Sequence, residues 1–501
     1  MSKSIIIIGA GIAGLSAGCY GQMNGYRTQI FELHDKPGGL CTSWKRKGYT
    51  FDGCIHWLVG SKAGSSFNRV WQELGALQGR QVVDHEVFIR AEGEGDKAFI
   101  LYTDIDRLEQ HMKELAPVDA KVIEEFCNAT RRFTGFGEMM GDSTGISRLL
   151  TMIKAIPKML PTMGALRKYS RTSVQDFCAR FTDPFLRQAF GGLFDIPDFP
   201  VAGLMMTLAW MHNRDAGYPI GGSLAFAQAI ERRYLDLGGQ IHYRSRVEKI
   251  LTENDRAVGV RLVDGTEHRA DAVISAADGR ATIFDMLEGR YVSDKVRGYY
   301  DELPIFQPII QVSLGVARDL ADQPSTVSFP LAQPITIAGE VQGRMAMRHF
   351  CYDSTVAPAG KSVVVVTFVS NYGYWQGLYQ DRERYDAEKK DIAIKVIGQL
   401  EQRFPGISEQ VEVVDVATPM TYERYTGNWQ GSMEGWLITT ETMSMTMGKG
   451  MEKTLPGLED FCMAGQWVEP GGGLPPAATS GRDAIHMICK RDKRRFVAQV
   501  P

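Results

Sequence analysis

Gly9-Ala10-Gly11-Ile12-Ala13-Gly14 is the stretch whose residue types and spacing state a chemistry most directly. Three glycines in this order suit a pyrophosphate. Gly9 permits a tight turn, Gly11 lets the backbone approach the phosphates, and Gly14 lets a helix pack closely on a strand. The N–H groups at the start of that helix then face the anion. Further on, Glu32 stands where a carboxylate accepts hydrogen bonds from a ribose diol. His56 is the candidate side chain for proton chemistry, because it follows a glycine turn at Gly53; as a neighbour of Trp57 it is equally read as a packed structural residue. Cys54 could touch a cofactor, although a buried, inert thiol is the simpler reading. No Ser-His-Asp arrangement and no metal-ligand spacing is present, so hydrolase and metalloenzyme readings fall away.

The elements that must position these groups are legible around them. Ile5-Ile6-Ile7-Ile8 reads as a buried strand, an Ala/Leu-rich helix begins near Leu15, and a second strand over 28–31 ends on Glu32. A second glycine pair follows in Lys36-Pro37-Gly38-Gly39-Leu40, then Phe51-Asp52-Gly53-Cys54-Ile55-His56-Trp57. Gly221-Gly222 opens a helix over 224–237, and strands are expected at 240–243, 257–262 and 269–275, with a turn at Asp264-Gly265. Near the C-terminus a strand over 461–464 leads through Gly465 and Gln466 into Gly471-Gly472-Gly473-Leu474-Pro475. Ala477 then stands in the first turn of a last helix.

This ordered set resembles the flavoproteins of the amine oxidase and phytoene desaturase superfamily, within it the group of phytoene desaturases, carotenoid cis-trans isomerases and retinol saturases. The 51–57 stretch is most similar to the retinol saturase side. The resemblance implies an α/β fold: a Rossmann-like FAD-binding domain of the two-dinucleotide-binding type with an inserted α+β substrate domain. It implies FAD held by Gly9, Gly11, Ala13, Gly14, Glu32, Gly38, Gly39, Leu40, His56, Val247, Ala276, Gly465, Gln466, Gly472, Gly473, Leu474 and Ala477. Gly38-Gly39 would follow the ribityl and pyrophosphate, Val247 would offer a backbone contact to the adenine end, and the 471–481 loop would lie along the flavin ring. Gln466 stands where many relatives carry an acid, which alters the charge around the flavin. The domains are expected at 1–75, 219–286 and 447–501 for FAD, and at 76–218 and 287–446 for the substrate.

Bulk properties bound the function. A chain of 501 residues exceeds one compact core. Its net charge of −3 argues against a nucleic-acid partner. Eight cysteines without a CxxC pair suit reduced thiols and a cytoplasmic setting. No uncharged run reaches the ~20 residues of a membrane span.

Residues 149–169 alternate apolar side chains with Lys154, Lys158, Arg167 and Lys168 and contain no acid. Such a segment lies in a membrane interface, making the protein peripheral, or forms a core-facing helix pair broken at Pro157 and Pro161. Three methionine and aromatic patches (204–211, 372–375 and 443–447) either line a tunnel for a long apolar ligand or are plain core. Between 60 and 148, helices are expected at 66–74, 105–115 and 120–134, and strands at 82–90 and 98–102. Beyond 287, strands are expected at 309–316 and 363–368 and a helix at 387–404.

The expected activity is FAD-dependent oxidation, reduction or isomerisation at carbon–carbon double bonds of an apolar polyene. No convergent charged residues for a polar substrate are evident. Electrons would pass to or from a separate carrier, oxygen or a quinone, because a second GxGxxG for a nicotinamide cofactor is absent. The alternatives are an amine-oxidase-like enzyme on a small substrate and a non-catalytic flavin-bearing protein.

Overall fold

The computed structural model describes residues 2–135, 161–193, 196, 198–443, 445 and 451–501. At its centre is a five-stranded sheet in the order Gln240–His242, Arg27–Phe31, Ser4–Ile8, Ala272–Ser275 and Phe461–Met463, each neighbouring pair parallel. Successive side chains of a strand point to opposite faces. Ile5, Ile7, Ile30 and Ile274 therefore pack against the helices Ile12–Met23, Gly222–Asp236 and Leu474–Arg491. Ile6, Ile8, Phe31 and Val273 meet an antiparallel three-stranded sheet, Val247–Glu253, Arg256–Leu262 and Glu267–Arg269. Both faces are buried, which explains the unbroken isoleucine run. Such a run cannot set its own register, since a slip by one residue would bury apolar groups equally well. The flanks set it: Ser4 donates from N and Oγ to Asp271 at 2.7 and 2.9 Å, and Gly9 N–H donates to Phe31 O at 2.8 Å.

A second, seven-stranded sheet runs in the order Val411–Ala417, Ile309–Val316, Ser362–Val369, Glu340–His349, Thr326–Ile337, Val87–Glu92 and Ala98–Tyr102. One face packs Met345, Met347, Val364 and Val366 beneath the helix Arg382–Arg403. Phe350, Val363 and Val365 join Tyr49, Phe51 and the nucleotide-side core instead. A third core holds the helices Ile105–Leu115, Ala120–Phe133 and Val201–His212.

Several expectations shift in detail. The strand expected at 82–90 is two strands: Val82 and Val83 pair with Pro219 and Tyr218, whereas Val87–Glu92 pairs with Ala98–Tyr102. The one expected at 269–275 also divides, because Glu267–Arg269 belongs to the three-stranded sheet and Ala272–Ser275 to the parallel one. Leu204 and Met205 are buried in the third core, and Trp375 lies beneath the outer face of the seven-stranded sheet. Leu204, Met205 and Trp375 are thus core and not tunnel walls, while Met206, Trp210, Tyr372 and Tyr374 are half-buried. Met443 is buried and Met445 packs against the Trp436–Trp467 core, while Met447 lies outside the described residues.

The basic segment is described only from residue 161. Residues 161–169 are helical and bury Ala165, Leu166 and Tyr169, while Lys168 pairs with Glu125 at 2.8 Å. Residues 149–160 lie outside the described part. No described helix is long and apolar enough to cross a membrane.

Candidate active site

Two uncapped helix N-termini meet at the C-terminal edge of the parallel sheet. Gly11 caps the helix Ile12–Met23 and Gly473 caps Leu474–Arg491; neither has a side-chain cap or an acid in its first turn. At the first, free N–H groups and the helix dipole favour an anion; at the second, Pro475 and Pro476 bring no N–H, so the dipole and the N–H of Leu474 do so. A Cβ added at Gly14 would lie 2.0 Å from the Gly9 carbonyl oxygen, so helix and turn touch through backbone. A Cβ at Gly11 would meet nothing within 4 Å, which leaves open space beside the turn for a pyrophosphate.

The remaining nucleotide-side residues assemble around this space. Glu32 accepts from Ala10 N at 2.6 Å and His34 N at 2.8 Å. Burial raises its carboxyl above the usual range, against the pull of these N–H groups. Gly38 N–H donates to Ala10 O at 2.9 Å, and Gly39 packs against Gly11. Ala276 N–H donates to Ile8 O at 2.9 Å, and Val247 begins the strand that packs beneath Ile6 and Ile8. Gly465 N–H donates to Ser480 Oγ at 2.9 Å beside Ala13, Ala477 N–H to Gly473 O at 3.3 Å, and Gln466 Nε2 to Asn428 Oδ1 at 3.3 Å. A cavity of about 270 Å³ opens between Gly39, Leu40 and Gly53 on one side and Thr421, Tyr422 and Tyr425 on the other. These observations fit FAD.

Asp52 orders the segment that carries His56. Its buried carboxylate accepts from Ser223 N at 2.7 Å, from Ser223 Oγ and from Cys54 N at 2.9 Å; Ile55 N–H donates to Ser223 Oγ at 2.7 Å. His56 and Trp57 thus leave the turn in a fixed direction, and Trp57 meets Phe88 edge-on at 5.0 Å. Burial, then the charge of Arg348, holds the His56 imidazole well below its ordinary pKa, so it is neutral at pH 7.

The charged group acting on His56 belongs to a cluster that sequence reasoning missed. Arg348 shares a cross-sheet row with Val365 and Thr326, on the face that bears Phe350. Its charge also acts on His85, whose pKa burial lowers to about 4 with Arg348 and His349 assisting. His85 meets the Tyr352 ring at 4.5 Å. Polar groups therefore gather here, although the two imidazoles are neutral and the gathering is not one of several charged residues. Their source is the break between residues 83 and 87, which frees His85 from either sheet, together with the strand Glu340–His349, which sequence reasoning did not identify.

Glu434 was missed as well. Its Cβ and Cγ lie against Gly472, where an added Cβ would come within 2.3 Å. Burial alone raises its carboxyl to about 7. All eight cysteines are free thiols, and the described residues contain no group of acids, histidines and cysteines able to hold a metal.

The chain matches the flavin containing amine oxidoreductase family over residues 12–484. It is 24% identical over 507 residues to a chloroplastic prolycopene isomerase of Arabidopsis thaliana, covering 96% of this chain and 82% of that one. It is 26% identical over 511 residues to a neurosporene-forming phytoene desaturase of Rhodobacter capsulatus, covering 96% and 93%. Among solved structures, an oxidoreductase from Methanosarcina mazei shares the fold, with a TM-score of 0.60, 17% identity and coverage of 96% and 100%. The chain belongs to the flavin containing amine oxidoreductase family and is an FAD-dependent oxidoreductase.

Proposed function

We propose that this enzyme oxidises, reduces or isomerises carbon–carbon double bonds of an apolar, unsaturated substrate of the polyene or isoprenoid class. The observation that carries this reading is the near full-length similarity to a prolycopene isomerase and a phytoene desaturase. In it, Gly9, Gly11, Gly14, Glu32, Gly38, Gly39, Val247, Ala276, Gly465, Gly472 and Gly473 hold FAD. Residues 1–75, 219–286 and 447–501 form the FAD unit, and 76–218 with 287–446 the substrate unit. Bound FAD supplies hydride exchange at its ring nitrogen. The protein supplies orientation, which is a large part of the barrier to such a transfer, and the edge-on Trp57–Phe88 pair offers one apolar surface against which a conjugated chain can lie. Neutral His56 can accept a proton, and Glu434, with a carboxyl near 7, can hold or release one beside the Gly472 turn.

The test is to incubate the reduced and the oxidised enzyme with a carotenoid, a retinoid and a polyunsaturated fatty acid while following polyene absorbance. A bleach, red shift or cis-trans change supports the reading. Inertness to all three with rapid oxidation of an amine overturns it in favour of amine oxidation. A flavin that turns over with neither leaves a flavin-bearing binding protein.

Reversible contact with an anionic membrane is part of the proposal. It is supported by exposed Lys490, Lys493, Arg494 and Arg495 near the C-terminus and by the basic composition of 149–160. Each such residue adds roughly 1 kcal/mol near an anionic surface. Sedimentation with neutral and anionic vesicles decides it, since equal binding to both removes the electrostatic part.

A further inference from the structure

The Arg348 side chain is half-buried and makes one hydrogen bond among the described residues, from Nε to Thr326 Oγ1 at 3.1 Å. A guanidinium has five N–H donors, so four remain. The negative charge acting on it from nearby is Asp52, whose oxygens are engaged by Ser223 and Cys54. The two imidazoles around it, His56 and His85, are held neutral and bring no negative charge. Arg344, two pleat repeats away on the same strand face, shows what a structural arginine does here: its Nη2 donates to Glu92 O at 2.8 Å and Ser328 O at 3.1 Å. Arg348 has no hydrogen-bonded counter-ion among the described residues, so its remaining donors face accessible space in which a ligand anion can complete them.

We propose that Arg348 anchors an ionised carboxylate at one end of the unsaturated substrate, with His85 and Tyr352 around the same head group. This rests on the polyene reading and narrows it to unsaturated acids. The planar fork matches a carboxylate in two parallel hydrogen bonds. A single free guanidinium balances one negative charge, which favours a carboxylate over a dianionic phosphate. Trp57 and Phe88 then receive the chain beyond the head group. Anchoring one end also sets which double bond comes to rest beside His56, so one bond of the chain is presented and not a series.

The test uses the FAD-loaded protein and two fluorescent tetraene probes, cis-parinaric acid and its methyl ester, whose emission rises on leaving water. Wild type is expected to bind the acid roughly 10- to 100-fold more tightly than the ester, the range of a charge-assisted pair. Arg348→Met should erase the preference by weakening acid binding while leaving ester binding and flavin content unchanged. Arg348→Lys should restore part of it and serves as the control where the methionine variant folds poorly. Equal binding of acid and ester by wild type, or a preference that survives Arg348→Met, overturns the anchor and leaves the polyene reading standing. Binding of neither probe by flavin-replete enzyme overturns both.

Discussion

Gly11→Val and Gly14→Ala, three residues apart in one turn, should fail for opposite reasons. At Gly14 an added Cβ would sit 2.0 Å from the Gly9 carbonyl oxygen, whereas ordinary contact begins at 3.4 Å. Turn and helix must part by about 1.4 Å, or the backbone must rotate, and overpacking of this kind costs about 1–3 kcal/mol. In a cooperative unit of about 150–250 residues each kcal/mol lowers Tm by about 2–4 °C. Gly11 has φ −65° and ψ 175°, open to any residue, and its Cβ direction is empty. Valine there should leave the flavin-free protein as stable as wild type while filling the pyrophosphate space. Scanning calorimetry of flavin-stripped proteins, with and without added FAD, separates the two. At FAD 100-fold above Kd, wild type should gain about 2.7 kcal/mol, and Gly11→Val should gain nothing. Stoichiometric FAD on Gly11→Val, or a flavin-free Tm that falls as far as that of Gly14→Ala, refutes the reasoning.

His56→Ala should retain full flavin absorbance while turnover falls by roughly 10²- to 10⁴-fold if the imidazole moves a proton; unchanged turnover assigns it to packing. Asp52→Ala leaves the N–H groups of Ser223 and Cys54 buried without an acceptor, and urea unfolding should show a loss of about 1–3 kcal/mol. Glu434 has a folded pKa near 7, above its unfolded value, so its contribution to stability is complete below pH 4.5 and is lost as pH rises through 7, by about 3 kcal/mol. His85, at about 4, acts in the other direction, its contribution disappearing as pH falls from 6.5 through 4. Glu434→Gln should therefore flatten the alkaline side of the stability–pH curve alone; an unchanged curve contradicts the assignment. NADH or NADPH without a partner protein should not bleach the flavin rapidly and saturably.

The nucleotide side was legible because its constraints are local. Ile5–Ile8, the glycines and Glu32 lie within one strand–turn–helix–strand unit, where turn sterics and two-faced burial leave a plain trace. The substrate side was not. Thr326–Ile337 carries Pro330 and Pro334 and pairs with Glu340–His349 across a register shift, so neither strand shows clean alternation. Arg348 is one of three charged residues in such a strand, beside Glu340 and Arg344, and its importance comes from His85, which arrives from a distant segment, and from Tyr352 just beyond the strand. Glu434 belongs to no motif; its burial beside Gly472 exists only after a far loop has folded over it. Methionine content misled for the converse reason, because Met205 fills a core gap as readily as it would line a channel.

The parallel sheet draws its strands from three stretches of chain, and Phe461–Met463 is the last to be made. During synthesis the edge of Ala272–Ser275 stays unpaired until that strand emerges, a delay on the order of 10–40 s at ~5–20 residues per second. The helix beginning at Leu474, which supplies the second anion-facing N-terminus, arrives later still. A chain truncated before Phe461 would have the first glycine turn without its partner and an open apolar edge. Flavin capture therefore waits until the strand Phe461–Met463 and the helix after it have emerged, and the newborn enzyme depends until then on whatever shields an exposed strand from its neighbours.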